Sequence, residues 1–232
     1  MKLIGFPASP NTWKVRAVAA HLGIPLELGF VDLTKGQSHT PDYLALNPTG
    51  RAPVLIDGDF TLWESTAIMQ YLASRKRNSL WPDDARARAD IMRWQSWQLA
   101  HWGKEACEPA LIERIVKQIL NLGPPDDTVC TKALACFERD AKILDAHLAA
   151  HAYLVGDGVT LADLSVAVLL FHADRAALPL AAYPRVKDWF ARVATLPCWQ
   201  ETMPQFTAAA AHHRAAAKRR DPVISLRDAL PP

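Results

Sequence analysis

Thr49-Gly50-Arg51-Ala52-Pro53-Val54-Leu55, followed by Trp63-Glu64-Ser65-Thr66, decides how this chain is read. A proline stands at the mouth of a strand-like run, and an acidic–hydroxyl pair opens a helix. Between them, Val54-Leu55-Ile56, Asp57-Gly58 and Phe60-Thr61-Leu62 give a hairpin signal with a primed turn. An X-Pro bond adopts cis at little cost. A cis Ala52–Pro53 bond would turn the adjoining backbone N–H and C=O groups towards a ligand instead of a neighbouring strand. The combination suits an extended, peptide-like ligand held by its backbone and its α-amino-acid end.

Upstream, Leu3 to Phe6 is a short apolar run, and Ser9-Pro10-Asn11 is a helix start with proline at the first helical position. Val15, Val18, Ala19 and Leu22 follow at helical spacing, and Gly23 and Pro25 end the helix. Leu26, Leu28 and Phe30 alternate with other residues as in a strand, and Thr34 to Leu46 reads as a polar loop with a helical turn. A second long helix carries Ile68, Met69, Tyr71 and Leu72. The order βαβ, loop, ββα predicts a four-stranded mixed sheet with flanking helices, an α/β thioredoxin-like layout.

Beyond the polar, proline-bearing stretch around Arg75 to Asp84 no strand is evident. Ala85 to Leu122 reads as helix, broken or bent near Gly103 and Pro109, and Thr128 to Ala150 is helical. Thr160-Leu161-Ala162-Asp163 resembles a capping box with Asp in place of Glu, ahead of Leu164 to Phe171. Pro184 to Leu196 is a further helix. The expected organisation is an α/β domain at 1–76, an all-α domain at 85–207 and a basic tail at 208–232. Residues 212–232 carry five Lys/Arg against two Asp/Glu, leaving 21 basic and 22 acidic residues in the remainder. The tail is expected to be a solvated helix end or frayed terminus, with a flap over the site or a partner surface as alternatives.

The 232 residues are half hydrophobic and 22% charged, enough for a large core without disulfides or metal. A formal net charge of +2 gives no strong field for nucleic acid. Cys107, Cys130, Cys136 and Cys198 show no CxxC spacing and read as reduced thiols. No targeting segment and no apolar run of ~18 residues is evident. The expectation is a cytoplasmic protein that engages neither membrane nor nucleic acid.

Ser9-Pro10-Asn11, the block Pro41 to Leu55, Glu64-Ser65-Thr66-Ala67-Ile68 and Gly156 to Asp163 together resemble the cytosolic glutathione transferase family, over about residues 1–200. The serine is similar to that of the theta and phi classes, and Ser9-Pro10-Asn11 to the Thr-Pro-Asn of bacterial nu-class proteins. The resemblance implies glutathione as co-substrate, no metal, a homodimer, and transfer of the glutathione thiolate to a small apolar electrophile or a peroxide. A glutathione-dependent disulfide reductase or peroxidase is one alternative; a non-catalytic binding module on the same fold is another.

The resemblance also implies residue roles. Ala52, before Pro53, pairs with the cysteinyl backbone of glutathione. Ser65, at a helix N-terminus that favours anions, takes the γ-glutamyl carboxylate, and Glu64 accepts from the γ-glutamyl ammonium. His39 and Arg51 are candidates for the glycyl carboxylate, with Gln37 weaker. Ser9 donates its hydroxyl to the thiolate, and Asn11 is the rival donor. A thiol with a pKa near ~8.5 needs about 2.7 kcal/mol of preference for thiolate to fall by ~2 units. One hydroxyl donated to an anion gives roughly 1.5–3 kcal/mol, and a helix N-terminus adds ~0.3–1 kcal/mol. Ser9 is expected both to cap its helix and to donate to sulfur. Trp94, Trp97 and Trp102, with Met92 and His101, either line an apolar acceptor pocket or form an aromatic core or dimer contact.

Overall fold

The computed structural model describes residues 1–203, and the expectations placed on 208–232 lie outside them. Among the described residues two compact units emerge: residues 1–72 together with 200–203, and residues 73–199.

In the first unit, β1 (Lys2–Gly5), α1 (Pro10–His21), β2 (Glu27–Phe30), α2 (Pro41–Leu46), β3 (Val54–Asp57), β4 (Phe60–Trp63) and α3 (Ser65–Ser74) follow in chain order. The sheet order is β2-β1-β3-β4. β1 runs parallel to β2 and antiparallel to β3, and β3 pairs antiparallel with β4. This is the mixed, thioredoxin-like sheet expected from the βαβ and ββα segments. Ile4, Val31, Tyr43, Val54 and Ile56 form one buried cluster against the sheet, with Leu46 and Ala52 packed on it. The hairpin turns through Gly58-Asp59, between paired Asp57 and Phe60, one residue later than Asp57-Gly58.

Leu28 and Phe30, whose alternation marked a strand, lie on β2 as expected and are 51% and 45% exposed. β2 is an edge strand, so its alternation identifies a strand without saying that the apolar side is covered.

In the second unit the helical run begins at α4 (Ala85–Trp97), where the Asp84 carboxylate caps Ala87 N–H. It continues through a π-helical stretch at Gln98–Cys107, α5 (Glu108–Leu111), a second π stretch at Ile112–Val116, and α6 (Lys117–Leu120). The break expected near Gly103 and Pro109 is therefore a widening of the helix. A Cβ at Gly103 would lie 2.8 Å from the Gln98 carbonyl oxygen, which the π turn brings in from five residues away. Glycine alone fits there.

α7 (Asp127–His147), α8 (Leu161–Ala167), α9 (Pro184–Ala194) and α10 (Pro197–Thr202) complete the α-helices among the described residues. The Thr160–Asp163 capping box is present at α8. Asp163 is fully buried and accepts four hydrogen bonds, from Leu154 N (2.9 Å), Trp189 Nε1 (2.9 Å), Thr160 N (2.9 Å) and Thr160 Oγ1 (3.0 Å). Burial pushes its carboxyl up, and the donors around it act in the opposite direction. No helix among the described residues is long and apolar enough to cross a membrane.

Candidate active site at one end of the sheet

The strand register sets out the site. Ile4 near the end of β1 pairs with Val54 at the start of β3, and Val54 pairs with Trp63 at the end of β4. The segments leaving or entering these positions are Phe6 to Ser9, Ala52–Pro53 and Glu64-Ser65. All three lie at the same end of the sheet, so the register gathers residues that the sequence scatters over more than fifty positions.

Ser9 sits in the N-cap position of α1 with extended backbone (φ −74°, ψ 126°). A turn fixes it there: Ser9 N–H donates to Phe6 C=O at 2.9 Å, and Ser9 C=O accepts the first helical bond from Trp13 N–H at 3.0 Å. Its hydroxyl makes no capping bond, which corrects the expectation that it serves the helix as well as the sulfur. The proline at the first helical position lacks an N–H, so the first turn has one fewer unsatisfied donor.

Asn11 and Ser65 meet: Ser65 Oγ donates to Asn11 Oδ1 at 3.2 Å, tying the first turn of α3 to the first turn of α1. Ser65 is 6% exposed, and Glu64 before it is exposed. Glu64 takes φ 71°, in the left-handed region, while its carbonyl accepts from Ile68 N–H at 3.0 Å. A non-glycine residue held there carries a local cost of roughly 1–3 kcal/mol, a feature that clusters at ligand sites.

The Ala52–Pro53 bond is cis. Ala52 precedes the first paired residue of β3, so it stands outside the ladder. The carbonyl of Arg51 is clamped by two donors, Tyr43 Oη at 2.8 Å and Asn47 Nδ2 at 2.6 Å. Both donor residues are buried, and burial pushes the Tyr43 phenol well up, so it stays a donor. Asn47 Oδ1 in turn accepts from Thr49 N (3.0 Å) and Thr49 Oγ1 (2.7 Å), closing an Asx turn. Tyr43 and Asn47 lie inside the block that carried the resemblance, yet no role attached to them. Their signal is an asparagine four residues before a loop carbonyl that needs a donor.

His39 follows from this loop. A Cβ at Gly50 would fall 2.9 Å from His39 Nε2, and Gly50 has φ 65°, so glycine lets the imidazole lie on the backbone beside Arg51. The side chains of His39 and Arg51 are both exposed there. Gln37 is committed elsewhere, its Oε1 accepting from Asp32 N–H at 2.8 Å.

The tryptophans are sorted by burial. Trp94 and Trp102 are 2% and 0% exposed. They belong to an aromatic column in which Trp94 meets Trp97 edge-on (5.2 Å), and Trp97 stacks on Trp102 and Trp102 on Phe137 (5.5 and 5.0 Å). Trp102 Nε1 also donates to Val166 C=O at 3.2 Å. These two are core of the second unit, the second of the readings given for them. Met92 and His101 are exposed.

Comparison with known proteins places the chain. Residues 1–74 match the model of the glutathione S-transferase N-terminal domain, and residues 83–192 that of the C-terminal domain. Glutathione S-transferase 3 of Zea mays is 40% identical over 212 residues, covering 88% of this chain and 93% of its own. The crystal structure of glutathione transferase F7 from Populus trichocarpa superposes with a TM-score of 0.80 at 28% identity, covering 87% of this chain and 96% of its own. The structure of a glutathione S-transferase-I bound with lactoylglutathione superposes at 0.79 with 27% identity, over 87% of this chain and 97% of its own.

Proposed function

This chain belongs to the glutathione S-transferase family, and from that premise we propose how its first unit handles its co-substrate. The protein is a glutathione transferase and uses glutathione. In our reading Ala52 pairs with the cysteinyl backbone, and the first turn of α3 at Ser65 takes the γ-glutamyl carboxylate. Glu64 accepts from the γ-glutamyl ammonium, and His39 with Arg51 faces the glycyl carboxylate. Ser9 donates its hydroxyl to the sulfur, with the Asn11 amide as second donor. Together they lower the thiol pKa without a general base, and the thiolate then attacks the electrophile.

The observation that carries this reading is the Ser9 hydroxyl, free of capping duty at the end of the sheet where Asn11 and Ser65 meet. The reading extends to a small apolar electrophile as second substrate, a homodimer, and a cytoplasmic location. A division at residues 1–76 and 85–207 into glutathione and electrophile domains belongs to it as well. Reduction of a peroxide or disulfide by the same thiolate is the second reading. The hydrogen bond holding Asn11 favours it, because an oriented amide is the stronger rival to Ser9. Turnover of glutathione with chlorodinitrobenzene, compared with cumene hydroperoxide, tests both. Failure to bind glutathione at millimolar concentration would end either.

The Arg51 clamp yields a prediction. Asn47→Ala loosens the loop that presents Arg51, Ala52 and His39 and leaves Thr49 donors without their acceptor. A lost hydrogen bond of this kind costs about 1–1.5 kcal/mol, so KM for glutathione should rise about 5–10-fold with kcat within about twofold. Steady-state kinetics with varied glutathione reads this; a fall in kcat at unchanged KM would contradict a binding role.

A further inference from the structure

The end of β1 and the first turn of α1 touch at Gly5 and Thr12. Gly5 is the last residue of β1, is buried, and does not have a left-handed φ. Its backbone would suit any residue, so the glycine serves close approach. A Cβ at Gly5 would lie 2.5 Å from Thr12 Cγ2, 2.6 Å from Thr12 Oγ1 and 3.2 Å from Thr12 Cβ. Carbon atoms rest ~3.5–4.0 Å apart, so a methyl group there is about 1 Å too close.

Neither side yields easily. Both heavy atoms on the β-branched Thr12 Cβ face Gly5, so rotation about χ1 leaves at least one of them there. The strand is pinned: Gly5 C=O accepts from Val31 N–H at 3.1 Å, and Gly5 is in register with Phe30. The strain of an added Cβ therefore falls on α1. Only Phe6 to Ser9 join strand to helix, closed by the Ser9 N–H bond to Phe6 C=O at 2.9 Å. Thr12 follows Asn11 directly and stands about one turn beyond Ser9. It is 4% exposed, and its hydroxyl has no hydrogen-bond partner among the described residues. Gly5 thus receives the shape of Thr12, not its polarity.

We propose that Gly5 is a positioning residue: by leaving room for Thr12 it seats the first turn of α1 against the sheet, and that seat sets the distance from the Ser9 and Asn11 donors to the glutathione sulfur. The inference rests on the glutathione reading above.

The test compares Gly5→Ala, Thr12→Ala, the double variant Gly5→Ala/Thr12→Ala, Thr12→Val and Thr12→Ile. The ultraviolet absorbance of bound glutathione thiolate is followed against pH, with kcat/KM for chlorodinitrobenzene at saturating glutathione. Gly5→Ala should raise the bound thiol pKa by about 1–1.5 units and lower kcat/KM near pH 7 about 3–8-fold, from a starting pKa of ~6.5. KM for glutathione should stay within about twofold, because Ala52, Ser65, His39 and Arg51 lie outside α1. Thr12→Ala opens the contact, so adding Gly5→Ala to it should shift the pKa by less than about 0.5 unit. Thr12→Val keeps the shape and should keep the wild-type pKa. Thr12→Ile enlarges the same contact from the helix side and should raise the pKa as Gly5→Ala does.

An unmoved thiol pKa in Gly5→Ala, or in Thr12→Ile where Gly5→Ala does not fold, would overturn the proposal. So would a double variant as impaired as Gly5→Ala alone, or a raised pKa in Thr12→Val. Absence of glutathione binding by the wild-type protein is a separate result, and it would remove the glutathione reading together with the proposal.

Discussion

Ser9→Ala should lower kcat/KM for conjugation at neutral pH about 3–25-fold while leaving glutathione affinity nearly unchanged. The hydroxyl it removes is not holding the helix, since α1 begins with a proline and Ser9 makes no side-chain cap. The variant therefore keeps its fold, and the loss falls on the thiolate. A hydroxyl donated to an anion contributes roughly 1.5–3 kcal/mol, equivalent to ~1–2 pKa units of the bound thiol. The sign follows from which form is favoured. Without the donor the bound thiol titrates at higher pH, so the thiolate fraction near pH 7 falls about 3–25-fold from a starting pKa of ~6.5. The inflection of the pH–rate profile moves upward, and wild type and variant converge in alkali. A profile of kcat/KM against pH with glutathione and chlorodinitrobenzene decides the matter; an unmoved inflection would remove Ser9 from the chemistry and leave Asn11 as the donor. Pairing this variant with Asn11→Ala then apportions the two donors.

The second large effect concerns stability. Asp163→Ala should destabilise the protein by at least about 3 kcal/mol, because it orphans the Leu154 and Thr160 N–H groups and the Trp189 indole in a dry interior at ~1–3 kcal/mol each. The Thr160 hydroxyl also loses its acceptor. Against a typical total of about 5–15 kcal/mol, that is a large share. The side chain does more than begin α8: it ties the 154 loop, the α8 cap and α9 to one buried point. Asp163→Asn tests the chemistry more gently. An amide has one acceptor oxygen, so one pair of donors keeps a partner and the other faces an NH2 group. Urea unfolding should rank wild type above Asn above Ala. Equal midpoints for Asp163→Ala and wild type would show that the buried carboxylate is not holding these elements.

Much of this architecture is legible in the sequence because it is enforced locally. Pro10 and Gly23 bound α1, the Val54–Leu62 pattern writes a hairpin, and Thr160 to Asp163 writes a cap; each signal acts over a few residues. What the sequence conceals is of two kinds. The first is burial of residues that have two plausible uses. Trp94 and Trp102 sit on a helix as either a core stripe or a pocket wall, and only the positions of Phe137 and Val166 decide for the core. Leu28 and Phe30 go the other way, because an edge strand does not announce which side is covered.

The second kind is long-range pairing. The candidate residues at 9, 39, 51–53 and 64–65 are readable through family resemblance. The Ser65–Asn11 bond and the double clamp on the Arg51 carbonyl arise from sheet register and turn geometry, which no short window contains.

The first unit is not a contiguous length of chain. Trp13, 1% exposed on the helix that also carries Asn11, donates its indole N–H to Thr202 Oγ1 at 3.1 Å, across 189 residues. For a chain emerging vectorially from a ribosome at ~5–20 residues per second, that partner arrives about 10–40 s after Trp13 itself. The α/β unit therefore begins life without this long-range contact of its core tryptophan, and the contact waits on synthesis of every helix between. This tie on α1 is thus timed by a segment 189 residues downstream of Trp13, although residues 1–72 of the unit are made first.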